Sequence, residues 1–220
     1  MLRRFRFLPY YIYSFFWCMR FLNVRQAMHI PVLVHPCVRV DELHKGSLSL
    51  RNPIRHGMIS IGFKGTVGRS NCQTIISIAK GGKLIIGDNV QMAKGTRIVI
   101  SERGIMSIGN QFWCNGDCYF YCTSSISIGN DNMYGWNISF STSDGHNVYD
   151  NGQIKVKEGS ITIGNHVWIA SNCVIAKGTY IAEDSVVAQN SLLNKCFRKP
   201  KCLIGGVPAK IIKDNFTWLA

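Results

Sequence analysis

One histidine, His146, sits where the sequence loses its regularity, in Asp144-Gly145-His146-Asn147-Val148-Tyr149-Asp150. An imidazole takes and returns a proton near neutral pH, so His146 is a candidate general base. Asp144 and Asp150 are candidates for orienting that ring or steadying its charged form; loop aspartates otherwise make Asx turns. His166 is the other histidine within range, but it occupies a repeat corner, where tolerance of left-handed torsions accounts for it. His29, His35, His44 and His56 lie among short β-like runs with no metal-ligand spacing, and the nine cysteines contain no CxxC. The chemistry expected is acid–base work without a metal.

The elements that must position His146 follow a period of six. From 163 to 194 an aliphatic residue recurs at Ile163, Ile169, Ile175, Ile181, Val187 and Leu193. A small or short residue follows each: Gly164, Ala170, Ala176, Ala182, Ala188 and Asn194. The compact residues Val167, Cys173, Thr179, Ser185 and Ser191 fall four places after the aliphatic ones. His166, Asn172, Gly178, Asp184 and Asn190 hold the place between, and these types best tolerate left-handed backbone torsions. Each hexapeptide therefore reads as a short strand ending in a tight corner, with two inward side chains. Such a period suits neither an α-helix nor an alternating strand and is the mark of a parallel β-helix. The pattern is legible from residue 84, with Asn89, Gly95, Asp131 and Asn137 at the left-handed place. Residues 29–80 are ragged, although Ile61-Gly62 and Val67-Gly68 suggest the first coils. Between Phe140 and Ile163 the phase stops, and a long loop, 141–160, inside a regular solenoid is usually functional or disordered.

The 220 residues suit one domain with appendages, and the net charge of +13 calls for an anionic partner. Without a basic helix or an RNA-binding signature, nucleic acid is the last choice. Cys114, Cys118 and Cys122 are four apart in a β-rich stretch, a spacing not expected to bring them together, and reduced thiols in a cytosolic protein are the reading. Residues 1–28 combine Arg3, Arg4, Arg6, Arg20 and Arg25 with an aromatic run. The apolar stretch is short for a bilayer span and no small-residue cleavage site follows it. Two roles suit an amphipathic helix there: contact with an anionic membrane surface, or closure of the open end of the coil. The stretch after 194 is basic, with Lys195, Arg198, Lys199, Lys201, Lys210 and Lys213, and Ala209 to Trp218 is expected to form a short helix.

The hexapeptide pattern, the HVWIA segment at 166–170 and the closing GGVPAKIIK resemble the hexapeptide-repeat acyltransferases. Within them the chain is most similar to O-acetyltransferases of sialic acid and bacterial surface polysaccharides, over roughly residues 60–215. The resemblance implies an all-β, left-handed parallel β-helix over 29–205, with the N-terminal helical segment 1–28 and the tail 206–220 outside it. It also implies a homotrimer, acetyl-CoA as acyl donor, a sugar or polysaccharide acceptor, and a cytoplasmic location, at the inner face of the membrane if 1–28 binds lipid. His146, about one coil before Trp168, corresponds to the family's catalytic base. Trp168, Ser171, the Ala188-Gln189 turn, Asn194 and Lys195 would follow the pantetheine arm, with Lys210 and Lys213 at the adenosine phosphates. Asn115 aligns with an acceptor-contacting asparagine; as a lone Asn in WCNGD it is otherwise a turn residue. Ala170 and Gln189 depart from the family pattern and put the channel width in question. A γ-carbonic-anhydrase reading shares the fold but needs three zinc histidines that are missing here. An amino-sugar N-acetyltransferase and a non-catalytic scaffold binding an anionic partner are the alternatives.

Overall fold

The structure, a computed structural model, describes residues 8–51, 53–63, 65 and 72–219. Val67-Gly68 and the arginines at 3, 4 and 6 lie outside the described residues. Three parallel sheets wrap the chain into a three-sided coil, each strand pairing with the strand one turn later. The first face runs from Val32–Val34 through Ile59–Phe63, Val90–Ala93, Phe112–Cys114, Asn132–Tyr134, Trp168–Ile169 and Val186–Val187 to Cys202–Gly206. The second face begins at Arg39–Glu42 and ends at Leu192–Leu193; the third begins at Leu48–Leu50 and ends at Cys196–Phe197. Among the described residues, seven strands on each of the second and third faces make seven complete turns. The described part of the ragged segment 29–80 thus already belongs to the coil, with register shifts at Val40/Glu42 and Ile61/Phe63; its prolines and insertions hide the strands in the sequence.

Every aliphatic residue of the 163–194 repeat is buried, and so is every compact residue four places later. The corners follow from backbone torsions. His166, Asn172, Asp184 and Asn190 have φ between 53° and 61°, and Gly178 has 76°. Asn89, Gly95, Asp131 and Asn137, the earlier left-handed places, are all positive as well. At the corner between the third and first faces the coils touch: a Cβ on Gly109 would sit 2.5 Å from the Gly129 carbonyl oxygen, so only glycine fits. Beside it the side-chain oxygens of Asn110, Asn130 and Asn165 accept from the backbone N–H of Asp88, Asn110 and Asn130, at 2.8–2.9 Å. The core is a column of inward side chains, with Phe112, Phe120, Tyr134 and Phe140 stacked in its middle.

Three features depart from the sequence reading. The tail forms no helix: Ala209–Asp214 is a strand, antiparallel to Cys202–Gly206. Gly205-Gly206 with Pro208 turns the chain straight back, and the exposed edge of the first face offers unpaired backbone groups that a strand satisfies and a helix does not. Loop 141–160 carries a hairpin, Tyr149–Asp150 with Gln153–Ile154, closed by Asn151 (φ 50°) and Gly152 (φ 78°). Asn-Gly with both torsions positive is the type I′ turn such a hairpin demands. Cys114 and Cys118 do come together inside the corner between the first and second faces, where the Cys118 thiol donates to the Gly135 carbonyl at 3.3 Å and the Cys114 sulfur lies 3.6 Å from the Thr96 hydroxyl. A tight corner turns two inward positions four residues apart toward one another, which a flat strand does not. All nine cysteines are free.

Helix α1, Leu8–Phe21, and the short α2, Val24–Ala27, close the first turn of the coil. Trp17, Cys18, Phe21, Leu22 and Ala27 join the core cluster, and the Ser14 hydroxyl bonds with the backbone of Val34. That is the capping role. Ile12 and Phe16 remain outward, Phe16 at 66% exposure. Among the described residues no helix is long and apolar enough to cross a membrane. Leu22→Ala is expected to cost about 2–5 kcal/mol, the range for emptying a buried leucine site. Urea unfolding measures it; a cost below about 1 kcal/mol would mean that α1 does not close the core.

Candidate active site

The corner between the second and third faces carries the interruption. The hairpin leaves the strand Ser139–Ser141 there and returns to Ile161–Ile163. Its base is held by Thr142, whose hydroxyl accepts from the Thr123 backbone N–H at 2.7 Å, and by a bridge between Ser143 and Glu158. One coil later at the same corner, Lys177 reaches back to the hairpin. Its Nζ donates to the Asp144 carboxylate at 2.6 Å and to the Val156 carbonyl, so one ammonium ties both arms. Asp150 pairs with Lys155 at 2.7 Å within the hairpin. Both carboxylates proposed to orient an imidazole are therefore engaged by lysines. His146 is exposed and, among the described residues, makes no hydrogen bond, ion pair or ring contact. Asn194 and Lys195 lie at this same corner, one coil beyond Lys177, both exposed. Lys177 carried no signal in the hexapeptide pattern. Its partner sits in the irregular loop, and only the coil brings the two together.

The remaining site residues lie elsewhere on the prism. Trp168 is on the first face, paired with Met133 and Val186, 38% exposed and outward as its neighbour Val167 requires. Trp218 lies 6.3 Å from it, centroid to centroid, and stacks on His166 at 4.5 Å and 12°. Trp218 also donates to the His166 carbonyl at 2.9 Å, while His166 Nδ1 meets Asp184 at 2.9 Å. His166 thus anchors the tail. Ser171, Ala188 and Gln189 occupy the corner between the first and second faces. Ser171 is buried and its hydroxyl accepts from the Trp136 N–H at 3.2 Å, so it offers that corner its backbone. Gln189 is exposed. Asn115 holds the same corner two coils before Ser171, half-buried, with its amide donating to the Tyr134 carbonyl at 3.4 Å. Lys210 and Lys213 are exposed on the tail strand, with no ion pair among the described residues. Lys195 lies 5.7 Å over the Phe197 ring. A single chain therefore collects His146, Asp144, Asn194 and Lys195 at one corner, and sets Trp168, Ser171, Ala188, Gln189, Lys210, Lys213 and Asn115 on the first face and its adjoining corner. Among the described residues no group of three or more His, Cys, Asp or Glu side chains is arranged to hold a metal ion.

Residues 160–195 match the family described as bacterial transferase hexapeptide (six repeats). The chain is 31% identical over 199 residues, 90% of its length and 86% of the relative's, to an "Uncharacterized 24.8 kDa protein in cps region" of Klebsiella pneumoniae. It is 38% identical over 107 residues, 47% of its length and 49% of the relative's, to the polysialic acid O-acetyltransferase of Neisseria meningitidis. The solved structure of the polySia specific acetyltransferase NeuO shares the fold, with a TM-score of 0.50 at 20% identity over 84% of this chain and 90% of that one. With its six-residue repeat, its three-sided coil and a relative that runs along nearly its whole length, the chain belongs to the hexapeptide-repeat acyltransferases.

Proposed function

We propose that the protein moves an acetyl group from acetyl-CoA to a hydroxyl of a surface glycan or its sugar precursor, with His146 as the general base. The observation that carries this is an unpartnered imidazole on a hairpin that Lys177 ties to the coil. A scaffold has no use for a histidine held out in this way. The thioester supplies an activated acetyl group. His146 takes the proton of the acceptor hydroxyl as its oxygen attacks, and returns that proton to the leaving thiolate. Backbone N–H groups steady the oxyanion. Lys195, Lys210 and Lys213 suit the donor's phosphates, since none is spent on a carboxylate. Trp168 and the Ala188-Gln189 turn suit the pantetheine arm.

His146 and Trp168 belong to different sides of one prism, so the reading calls for a second copy of the chain to bring them together. A homotrimer with left-handed coils meets that need, each site lying between two subunits. Light scattering at micromolar concentration should return three times the 24.7 kDa chain mass. A monomer that still turns over acetyl-CoA would refute the shared site. Acetyl-CoA turnover against a panel of sugars and oligosaccharides tests the activity itself: hydroxyl-dependent release of CoA supports it, and an exclusive response to amino-sugars would make the acceptor an amine.

The exposed Ile12 and Phe16 on α1, with Arg20 beside them, also suit contact with anionic lipid while the opposite side of α1 caps the coil. On this reading the enzyme works in the cytoplasm, against the inner face of the membrane.

Lys177→Met should loosen the hairpin and lower kcat by up to about 10²-fold, the scale for misplacing a reacting group by about 1 Å. Stability should change by no more than about 1 kcal/mol, because the ion pair is partly exposed. An unchanged kcat would mean that Lys177 does not place His146.

A further inference from the structure

After the strand Ala209–Asp214 the chain turns at Asn215 (φ 51°) and comes back along the corner between the third and first faces. The Phe216 backbone N–H donates to the Lys201 carbonyl at 2.8 Å, and Trp218 then reaches His166, two coils earlier. Trp218 is 8% exposed and Leu219 beyond it 93%, so Trp218 is the ring that the end of the tail seats.

Its seat is held from three sides. The indole lies flat on the His166 imidazole at 4.5 Å and 12°, and its N–H donates to the His166 carbonyl at 2.9 Å. The imidazole is fixed in turn by Asp184, which accepts from Nδ1 at 2.9 Å. The backbone below is a left-handed corner, with φ 53° at His166. The coil does not use this ring to fill its interior. Val167 and Ile169 already point inward and are fully buried, and Trp218 lies outside the continuous core cluster.

The next ring along is Trp168, 6.3 Å away and tilted by 48°. Trp168 stands between two corners. Ser171 and the Ala188-Gln189 turn, the residues suited to the pantetheine arm, lie at the corner between the first and second faces. Trp218 stands on the opposite side, with His166. It therefore backs Trp168 on the side away from the donor. Beyond Trp218 is a cavity of about 170 Å³, lined also by Trp113 and Met133. Removing the indole would open that space to Trp168 and let its ring turn from the donor.

We propose that Trp218 is a positioning residue for the donor, bracing the Trp168 ring so that it faces the pantetheine arm of acetyl-CoA. The proposal rests on the reading of Trp168 as a wall of the donor site and adds the C-terminal tail to that site. A ring already held in place has less freedom to lose when the donor binds, so the brace acts on donor affinity and not on the transfer step. Lys210 and Lys213, suited to the donor's phosphates, belong to the same tail, which then meets the donor at two places.

The test uses the full chain with two donors, acetyl-CoA and S-acetyl-pantetheine, which keeps the arm and lacks the adenosine phosphates. Trp218→Ala should raise KM for both donors about three- to tenfold, the scale of one lost ring pair. At saturating donor its kcat should stay within about twofold, as expected when only uniform binding is lost. Trp218→Phe keeps a stacking ring and should restore most of the affinity. Lys213→Ala should raise KM for acetyl-CoA alone. A Trp218→Ala loss confined to acetyl-CoA would mean that the tail acts only through its lysines, and the brace would be overturned. The double variant Trp168→Ala with Trp218→Ala should be no worse than Trp168→Ala, because the brace acts through that ring. Losses that multiply would overturn it. If Trp168→Ala raises KM and Trp218→Ala does not, the brace fails and the donor reading stands. If neither moves KM, Trp168 leaves the donor site and the brace goes with it. Light scattering of Trp218→Ala should match the unaltered protein, and a dissociated oligomer would make Trp218 a subunit contact and refute the proposal. Should Trp218→Ala fail to fold, Trp218→Leu keeps bulk without a ring, and an unchanged KM there would be equally fatal.

Discussion

Replacing His146 by alanine should lower kcat by about 10²–10⁴, the contribution of a positioned general base. An alcohol is a poor nucleophile at neutral pH, and among the described residues no other free imidazole lies at the corner where the hairpin leaves the coil. His166, the nearest histidine in the repeat, is committed to Trp218 and Asp184. KM for acetyl-CoA should change little, because the residues proposed for the donor lie on other coils. Stability should change little as well, since the side chain is exposed and makes no hydrogen bond, ion pair or ring contact among the described residues. The pH profile separates base from bystander. Only the neutral ring takes a proton, so kcat/KM should climb with pH to a plateau, and the alanine variant should lose that limb along with the rate. A variant that kept both its rate and its pH dependence would remove His146 from the reaction. Asp144 and Asp150 would be weak successors, because each is already engaged by a lysine, Lys177 and Lys155.

Much of this framework was readable from the residue types. A left-handed corner excludes most side chains on steric grounds, so Asn89, Asp131, His166 and Asp184 stand out by identity alone. Inward places such as Ile169 and Cys173 stand out because an aliphatic side chain and a compact one recur at fixed places in each six-residue repeat, and both sets are buried. What escaped depends on partners distant in sequence. Lys177 looks like any repeat residue until the coil sets it beneath Asp144. The tail Ala209–Asp214 has a sequence that permits helix or strand, and the open edge at Cys202–Gly206 decides for strand. Cys114 and Cys118 meet because a corner lies between them. The hairpin was the avoidable omission: Tyr149-Asp150-Asn151-Gly152-Gln153-Ile154 holds the Asn-Gly signal of a two-residue turn. The site is harder to read than the fold, because its residues are divided among corners that a single chain does not join.

Phe140→Ala should be the most damaging core substitution near the site, at about 3–5 kcal/mol. Phe140 is fully buried and stacks on Phe120 at 4.9 Å and on Tyr134 at 5.5 Å. Tyr134 in turn meets Phe112 edge-on at 5.0 Å. These four rings fill two adjacent coils. In a solenoid each turn rests only on its neighbours, so a void here has few side chains able to close it. Phe140→Leu is the informative companion. It keeps much of the volume and loses the ring pairing, which is worth about 0.5–1.5 kcal/mol beyond burial. A large gap between the two variants would identify the lost volume as the cause. Urea midpoints at constant slope measure both, and a change in slope would signal that the coil no longer unfolds as one unit. Phe140 also precedes the residue that opens onto the hairpin, with Ser141 donating to the Ser143 carbonyl at 2.7 Å. The alanine variant should therefore lose kcat even below its melting temperature, while the leucine variant retains it. If alanine costs less than about 1 kcal/mol, the rings are not what holds the middle of the coil, and the hairpin must draw its rigidity from Thr142 and Lys177 alone.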